Sequence, residues 1–368
     1  MKLLSLSLLN YRNIGEAALS VSPNVNCIVG QNGMGKTNVL DAIFYLSFCK
    51  GFASALDDRN IKHSEDFFMI RGEYEREDGG TEQINMSLKR GGRKSVKRGE
   101  KAYKRLSEHL GRIPLVLIAP ADEYLVRGGA EERRRFMDMV IAQYDSTYVE
   151  ALNRYEASLK QRNAMLKAEQ EPDPAVMEIT EAMMSRDADC IYAKRSAFVE
   201  AFVPIFQTLY ERLCGNEVER VGVIYESHIE RGNLENQLRQ WRDKERAVGH
   251  TLHGVHRDDL NLLLDNYPLR YEGSQGQTKT YVIAMKLAQY LYLKERGCGQ
   301  TPILLLDDIF DKLDSKRVQN IMAYVSSNEM GQIFITDTNR ENIDKLIAAT
   351  TRDYKLFVVD EGVVSEQR

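Results

Sequence analysis

The pattern of apolar and polar residues predicts β-strands near both ends of the chain. Alternation indicates two strands joined by a turn between Leu3 and Ser20, and a closing hairpin between Tyr354 and Ser365. Largely apolar runs, which are typical of buried central strands, occupy residues 25–29, 115–118, 303–306 and 332–336. Because strands and helices alternate towards the C-terminus, the pattern predicts an α/β fold.

Helical spacing, with apolar residues three and four positions apart, dominates the middle of the chain from residue 130 to about 215. The segment 171–174 carries two prolines and interrupts that spacing, which predicts a small bundle or helical hairpin. Further helices are predicted at residues 38–48, 233–246, 278–296, 315–325 and 340–348. Residues 260–264 and 269–271 are predicted to pair as a hairpin, and a polar turn is predicted at 272–277.

A glycine-rich loop lies between the apolar run 25–29 and the helix predicted after it. Its spacing fits G-x-x-x-x-G-K-[ST], a loop whose backbone N–H groups wrap phosphates. The loop consists of Gly30, Gln31, Asn32, Gly33, Met34, Gly35, Lys36 and Thr37. The helix N-terminus adds a partial positive charge, Lys36 is expected to reach the outermost phosphates, and the Thr37 hydroxyl is expected to bind Mg²⁺. The loop therefore predicts a nucleotide site.

Two carboxylates follow the apolar run 303–306. A buried strand that ends in aspartate is where P-loop ATPases hold Mg²⁺, so Asp307 is predicted to bind the metal. Strand alternation directs Asp308 to another side, which suits a residue that polarises the attacking water; Lys36 and Asp308 are the predicted catalytic residues. Lys36 and Asp307 are much further apart than one βαβ unit spans, so the nucleotide core is predicted to be split around an intervening lobe.

A second anion-binding site is predicted at the N-terminus of the helix that ends at residue 296. The residues concerned are Ser274, Gln275, Gly276 and Gln277. They combine a hydroxyl group, a glycine and the free N–H groups of a helix N-terminus. Capped helices with serine and glycine nearby are common, so this pattern alone does not separate an anion site from an ordinary helix cap.

The net charge of −4 and the pI of about 6.0 imply that the surface as a whole does not attract nucleic acid. A local basic run at residues 90–105 provides candidate DNA contacts, which are Arg93, Lys94, Lys97 and Arg98. A solvated hairpin rim explains the same run equally well.

Three histidines, His250, His253 and His256, recur at intervals of three beside two aspartates. One shared metal ion is geometrically awkward because Gly254 interrupts a helix and a strand would turn His253 away from the other two. Hydrogen-bonded or phosphate-facing histidines are therefore favoured. The five scattered cysteines favour reduced thiols, and the lack of a long apolar run or a signal-peptide pattern predicts a cytoplasmic protein without a membrane span.

Several blocks together resemble the RecF family of ABC-type ATPase heads, which is related to SMC heads. The blocks are residues 10–13, 30–37, 132–138, 160–163, 253–260, 274–279 and 305–314. The short helical lobe also fits RecF, since SMC proteins insert very long coils there. The resemblance implies an ATPase head with a P-loop mixed sheet, built from residues 1–125 and 249–368, and a helical second lobe at 126–248.

The resemblance also implies an ATP-dependent homodimer, in which residues 274–277 of one subunit complete the ATP and Mg²⁺ site of the other. It implies binding to single-stranded, gapped or junction DNA in recombinational repair, replication-fork recovery and SOS induction, together with RecR and RecO. Slow, DNA-stimulated ATP hydrolysis would release the DNA. The alternative is an SMC-like head that acts as a protein–protein switch without direct DNA binding; a transporter ATPase is disfavoured by the helical lobe and the RecF-like blocks.

The chain departs from the usual family pattern at several positions. Asp308 stands where many ABC ATPases have glutamate, which agrees with slow turnover, and Gln275 stands where arginine is frequent. The segment after Ile118 has no glutamine for a Q-loop, and residues 336–338 contain no histidine to sense the γ-phosphate. No residue is predicted for those two roles.

Overall fold

The computed structural model describes residues 1–54, 56–214, 219–297, 299–310, 313, 315–327, 329–349 and 353–367, without the side chains of residues 315 and 349. The strands are β1 Lys2–Tyr11, β2 Ile14–Ser20, β3 Val25–Val29, β4 Phe67–Glu75, β5 Thr81–Lys89, β6 Ser95–Arg98, β7 Lys101–Ala102, β8 Leu115–Ile118, β9 Val221–Glu226, β10 Asp259–Leu264, β11 Tyr267–Pro268, β12 Ile303–Asp307, β13 Ile333–Asp337, β14 Tyr354–Asp360 and β15 Val363–Gln367. The α-helices are α1 Lys36–Phe48, α2 Tyr124–Arg127, α3 Ala130–Ile141, α4 Ser146–Lys167, α5 Pro174–Cys214, α6 Leu234–Val248, α7 Leu269–Glu272, α8 Gln275–Arg296, α9 Ser315–Val325 and α10 Arg340–Ala349. Cys298, and residues 311, 312 and 314 of the RecF-like block 305–314, lie outside the described residues.

The chain folds into two compact units. The first comprises Met1–Asp122, Leu209–Glu217 and Gln275–Arg368, and the second comprises Glu123–Thr208 and Val218–Ser274. Residues 249–274 belong to the second unit, whereas the sequence placed them with the ATPase head. They pack there because Arg133 and Arg195 of the helical segment form ion pairs with Asp259 and Asp258. The predicted three-part division at residues 125 and 248 otherwise stays a prediction.

The first unit contains a six-stranded mixed sheet in the order β15-β14-β3-β13-β12-β8. Its strands run parallel except β15, which pairs antiparallel with β14. Every residue of β3, β12 and β13 is buried, which explains why these strands are largely apolar. The carboxyl ends of parallel strands meet at one edge, so β3 and β12 bring the glycine loop and Asp307 to the same edge. The predicted α/β fold with a P-loop mixed sheet is confirmed.

A second six-stranded sheet in the first unit is antiparallel, in the order β2-β1-β4-β5-β6-β7. Burial alternates along β4 and β5, as expected for strands with one face towards a core. Helix α1 contacts β1 and β4 of this sheet and also β8, β12 and β13 of the mixed sheet. Because α1 lies against both sheets, nearly all of its residues are buried and its apolar positions do not form a single stripe.

The second unit is mainly helical, with a three-stranded sheet in the order β11-β10-β9. The helical pattern predicted from residue 130 is divided at Asp145, whose side chain accepts a hydrogen bond of 3.0 Å from the Tyr148 N–H and caps α4.

No helix of the described part of the chain is long and apolar enough to cross a membrane.

The predicted pairing of residues 269–271 with β10 is wrong. Asp265 and Asn266 have positive φ angles of 49° and 67°, which is the geometry of the tightest hairpin turn. Residues directly after such a turn pair first, so Leu264 faces Tyr267 and the chain then enters α7. The predicted polar turn at 272–277 is also shorter than expected, because α8 already begins at Gln275.

Candidate nucleotide-binding site

The glycine loop follows β3 and leads into α1, as the sequence predicts. Gly33 and Gly35 have φ angles of 82° and 118°, a backbone region that residues with a side chain rarely adopt. Gly30 lacks room for a side chain, since a Cβ there would lie 2.3 Å from the Val359 carbonyl oxygen. These glycines allow the chain to turn from β3 into α1. The loop ends at the N-terminus of α1, and a helix N-terminus favours an anion.

The side chain of Lys36 lies across the glycine loop and is only 4% exposed. Its ammonium group donates to the carbonyl oxygens of Gly30 at 2.9 Å and Gln31 at 3.1 Å. A buried charge is costly unless it is hydrogen-bonded, so these two carbonyls hold the ammonium at the loop. The predicted contact of Lys36 with phosphates stays a prediction.

Thr37 and Asp307 meet at the carboxyl edge of the mixed sheet. The Thr37 hydroxyl lies 3.0 Å and 3.1 Å from the two carboxylate oxygens of Asp307, and the Thr336 hydroxyl donates to Asp307 Oδ1 at 2.7 Å. Burial raises the pKa of Asp307 above its usual range, although the hydrogen bonds from Thr336 and Thr37 act in the opposite direction. Mg²⁺ prefers oxygen ligands and needs few from the protein, so this hydroxyl and carboxylate fit that ion.

Asp308 follows β12 in a left-handed conformation with a φ of 45°. Its N–H group donates to the carbonyl oxygen of Thr336 at 3.3 Å and lies 3.2 Å from the Thr336 hydroxyl. The argument that strand alternation directs Asp308 is wrong, because β12 ends at Asp307 and the next residue has turned out of the strand. The predicted role of Asp308 with the attacking water stays a prediction.

The residues of the predicted second anion-binding site lie at the start of α8. Ser274 is the last residue of the second unit, and Gln275, Gly276 and Gln277 form the first turn of the helix in the first unit. The Gly276 carbonyl accepts from the Thr280 hydroxyl at 2.8 Å, as in a regular helix. A helix N-terminus carries a partial positive charge, which is the property the prediction requires. Their role opposite the glycine loop of a second subunit stays a prediction.

Two of the four predicted DNA contacts are engaged within the protein. Lys94 forms an ion pair of 2.7 Å with Asp57, also donates to the Cys49 carbonyl, and has a side chain only 14% exposed. Arg98 forms an ion pair of 2.8 Å with Glu82. Arg93 and Lys97 are exposed on the same hairpin. The basic run thus serves partly to hold the hairpin to β5 and to the segment that follows α1.

The three histidines after α6 each have their own hydrogen-bonding neighbours. His250 Nδ1 lies 3.0 Å from the Val248 carbonyl, and His253 Nδ1 lies 3.3 Å from the Glu245 carboxylate. His256 is held by the Tyr155 hydroxyl and the Thr251 carbonyl. Over the described ranges, no group of three or more histidine, cysteine or acidic side chains is arranged to hold a metal ion.

Three of the RecF-like blocks supply a buried ion network in the second unit. Arg133 forms a bidentate ion pair with Asp259, with hydrogen bonds of 2.6 Å and 2.9 Å. Arg195 pairs with Asp138 at 2.9 Å and Asp258 at 3.0 Å. Arg162, in block 160–163, pairs with Glu181 at 2.9 Å and with Glu245 at 2.6 Å. The charged residues of blocks 132–138, 160–163 and 253–260 therefore form ion pairs within this unit.

Sequence reasoning missed residues that support the glycine loop. Thr336 had no assigned role, yet it binds Asp307. Asn13 donates to the Met34 carbonyl at 2.8 Å, and the Gly362 N–H donates to the same oxygen at 3.0 Å. The available signals were the position of Asn13 in a RecF-like block and the turn-forming residues between β14 and β15.

The mixed sheet, the P-loop after β3 and the aspartate that ends β12 define an ATPase head of the ABC type. The model of the RecF/RecN/SMC N-terminal domain family matches residues 2–364. The DNA replication and repair protein RecF of Phocaeicola vulgatus is 49% identical over 368 residues, which cover 100% of this chain and 99% of the relative. RecF of Bacteroides thetaiotaomicron is 48% identical over 366 residues, with 100% and 99% covered.

Solved structures agree with the sequence relatives. The structure of the recombination mediator protein RecF-ATP in the RecFOR pathway superposes with a TM-score of 0.89 and 27% identity, over 100% of this chain and 98% of that one. The chain therefore belongs to the RecF family of DNA replication and repair proteins.

Proposed function

We propose that this protein binds ATP and Mg²⁺ at the glycine loop and uses them to control its attachment to DNA. The observation that carries the proposal is the contact of 3.0 Å between the Thr37 hydroxyl and Asp307, which joins the two parts of the proposed nucleotide site. The similarity to the RecF-ATP structure over the full chain supports the choice of nucleotide.

Each site residue has a role that follows from its chemistry. The N–H groups of the loop from Gly30 to Gly35 wrap the phosphates, and Lys36 neutralises the outermost ones. Thr37 and Asp307 hold Mg²⁺, which when bound neutralises the negative charge of the phosphates. Asp308 orients and polarises the attacking water. Its side chain is shorter than the glutamate of many ABC ATPases, so we propose that hydrolysis is slow.

A homodimer provides the remaining part of the site. Ser274, Gln275, Gly276 and Gln277 of one subunit contribute a hydroxyl and helix N–H groups to the nucleotide of the other subunit. ATP then joins two heads, and hydrolysis separates them. DNA-stimulated ATPase activity is therefore coupled to release of DNA.

The proposed substrate is single-stranded, gapped or junction DNA in recombinational repair, replication-fork recovery and SOS induction. RecR and RecO are the proposed partners, and the cytoplasm is the proposed location. The relatives are named as replication and repair proteins, which supports this assignment. Among the predicted DNA contacts, the exposed Arg93 and Lys97 are the stronger candidates, because Lys94 and Arg98 already neutralise acidic side chains.

The test is the DNA affinity of the protein with and without ATP-Mg²⁺, for single-stranded, duplex and junction DNA at two salt concentrations. We expect ATP-Mg²⁺ to strengthen binding and higher salt to weaken it. Tight ATP binding without any response of DNA affinity would contradict the proposal.

A second function is a protein–protein switch that uses the same ATPase head without direct DNA binding. The ion pairs Lys94–Asp57 and Arg98–Glu82 favour it, since they explain half of the predicted DNA contacts as internal contacts. DNA binding that is insensitive to salt and to charge reversal at Arg93 and Lys97 would support this alternative.

A further inference from the structure

The carbonyl group of Met34, inside the glycine loop, accepts two hydrogen bonds from opposite ends of the chain. Asn13, in the turn between β1 and β2, donates through Nδ2 at 2.8 Å. Gly362, in the turn between β14 and β15, donates through its N–H group at 3.0 Å. The neighbouring N–H of Glu361 also lies 3.4 Å from the Met34 sulfur. Both turns thus converge on one residue of the loop.

Asn13 is closely packed at this point. Its Oδ1 accepts a hydrogen bond of 2.7 Å from the Asn38 side chain in the first turn of α1. A Cβ on Gly35 would lie 2.7 Å from the same Oδ1, and a Cβ on Gly362 would lie 2.4 Å from the Asn13 carbonyl oxygen. These two glycines therefore allow the turn, the loop and the hairpin to approach each other.

The hairpin turn has the backbone geometry needed to direct its N–H groups at the loop. Glu361 and Gly362 both have positive φ angles, 45° and 81°, as in the two-residue turns that match the twist of a hairpin. Strand β14 pairs with β3, with Val358 opposite Val29, so the turn lies beyond the strand end from which the glycine loop starts.

The peptide group between Met34 and Gly35 is planar and trans, so its C=O and N–H point in opposite directions. Donors that fix the Met34 oxygen on one side therefore fix the Gly35 N–H on the other. We propose that Asn13 and the turn Glu361–Gly362 are positioning residues, which hold the Gly35 N–H in the orientation that binds a nucleotide phosphate. The last hairpin of the chain thereby sets the nucleotide affinity of a loop near its start. This inference rests on the proposed binding of ATP.

The first test compares two glycines that have nearly the same backbone conformation. Gly362 and Gly79 have φ angles of 81° and 79°, so alanine introduces similar backbone strain at both. A Cβ at Gly79 meets nothing within 4 Å, whereas at Gly362 it meets the Asn13 carbonyl. In calorimetric titration with a non-hydrolysable ATP analogue and Mg²⁺, we expect Gly362→Ala to weaken binding at least about tenfold and Gly79→Ala to change it less than about twofold.

The second test removes the side-chain donor without adding charge. Asn13→Ala deletes the bond to Met34. Asn85→Ala is the matched control, because Asn85 also accepts a hydrogen bond through Oδ1, from Arg71, and donates one through Nδ2, to Gln83. We expect Asn13→Ala, and not Asn85→Ala, to weaken analogue binding at least about fivefold. Hydrogen–deuterium exchange of the nucleotide-free protein should accelerate in residues 30–37 of Asn13→Ala, while β12 and β13 keep their wild-type protection.

The outcomes separate this inference from the function on which it rests. Wild-type protein that fails to bind the analogue overturns the proposed function, and the exchange experiment still tests the positioning because it uses no nucleotide. Wild-type affinity in both Asn13→Ala and Gly362→Ala, or unchanged exchange in residues 30–37, overturns the positioning role. If Gly362→Ala does not fold, the results for Asn13→Ala decide whether the positioning role is correct.

Discussion

The hydroxyl of Thr37 lies 3.0 Å from the carboxylate of Asp307, although 270 residues separate them in the chain. The contact forms because β3 and β12 lie on either side of β13 in the mixed sheet, with their carboxyl ends at the same edge. Asp307 is 5% exposed and its pKa is raised by burial. This burial beside the glycine loop supports the proposal that a cation is the ligand of the carboxylate.

Replacement of Asp307 by asparagine should remove Mg²⁺ binding and leave the fold intact. The amide preserves the shape of the side chain and its contact with Thr37 but loses the negative charge. We expect the affinity for ATP in the presence of Mg²⁺ to fall at least about tenfold, and the melting temperature to stay equal or rise, since the buried charge is removed. Titration calorimetry with Mg²⁺ and with EDTA measures the effect; a variant whose ATP binding still responds to Mg²⁺ would contradict the assignment.

Two substitutions separate nucleotide binding from pairing of the heads. Lys36→Met removes the charge at the phosphates and should abolish both ATP binding and ATP-dependent dimerisation. Ser274→Arg should preserve ATP binding by the monomer and abolish pairing, because a bulky cation replaces the hydroxyl at the start of α8. Light scattering with and without ATP-Mg²⁺ gives the oligomeric state. Normal dimerisation of Ser274→Arg would show that the shared-site model is wrong.

Neighbouring lysines of the basic run should behave differently. Lys94→Gln loses an ion pair with Asp57 that is largely shielded from solvent, so we expect a loss of about 1–2 kcal/mol of stability and little change in DNA binding. Lys97→Gln, at an exposed position, should leave stability within about 0.5 kcal/mol and reduce the salt dependence of DNA binding by about one phosphate contact. Urea unfolding and salt-dependent DNA titrations measure the two effects. Equal effects of both changes on DNA binding would contradict the assignment of Lys94 to stability and of Lys97 to DNA contact.

The buried ion network of the second unit should be sensitive to loss of a single partner. Arg162 is fully buried and lies 2.9 Å from Glu181 and 2.6 Å from Glu245, both also buried. Arg162→Met leaves Glu245 without this guanidinium partner, at an expected cost of about 3–5 kcal/mol. Arg239→Met, which breaks an exposed pair with Glu235, should cost less than about 1 kcal/mol.

The fluorescence of Trp241, the only tryptophan, reports unfolding of this unit in urea for both variants. Similar unfolding free energies for Arg162→Met and Arg239→Met would show that the network contributes little.

His256 should make the second unit sensitive to acid. Its Nε2 lies 3.2 Å from the Thr251 carbonyl oxygen and its Nδ1 lies 2.7 Å from the Tyr155 hydroxyl, so a neutral ring can donate through Nε2 and accept through Nδ1. Burial lowers the pKa of His256 to about 3, below the value of about 6.5 in an unfolded chain. The unfolded state therefore binds the proton first, and the stabilisation present above pH 6.5 is lost as the pH falls towards 3.

Between pH 7 and pH 5, wild-type protein should lose about 2 kcal/mol more stability than His256→Gln, which does not titrate. Urea unfolding followed through Trp241 at several pH values measures this difference. Parallel pH profiles for the two proteins would contradict the assignment.

Much of the fold was predictable because it depends on local patterns. The apolar runs of β3, β12 and β13 identify buried strands, and the spacing of α4 and α5 identifies an amphipathic helical lobe. The hairpin after β10 was predicted wrongly, since a two-residue turn depends on the backbone angles of Asp265 and Asn266, which leave only a subtle signal in the sequence.

The sequence by itself determined the chemistry available at the site: a glycine loop for phosphates, and an aspartate at the end of a buried strand. Only the tertiary structure decided which groups meet. Strand order placed Thr37 beside Asp307, and the packing of turns and loops joined Asn13 and Gly362 at Met34 and paired Lys94 with Asp57. The reason is physical: local periodicity follows from backbone sterics and burial of each segment, whereas contacts between distant segments depend on how the sheets are assembled.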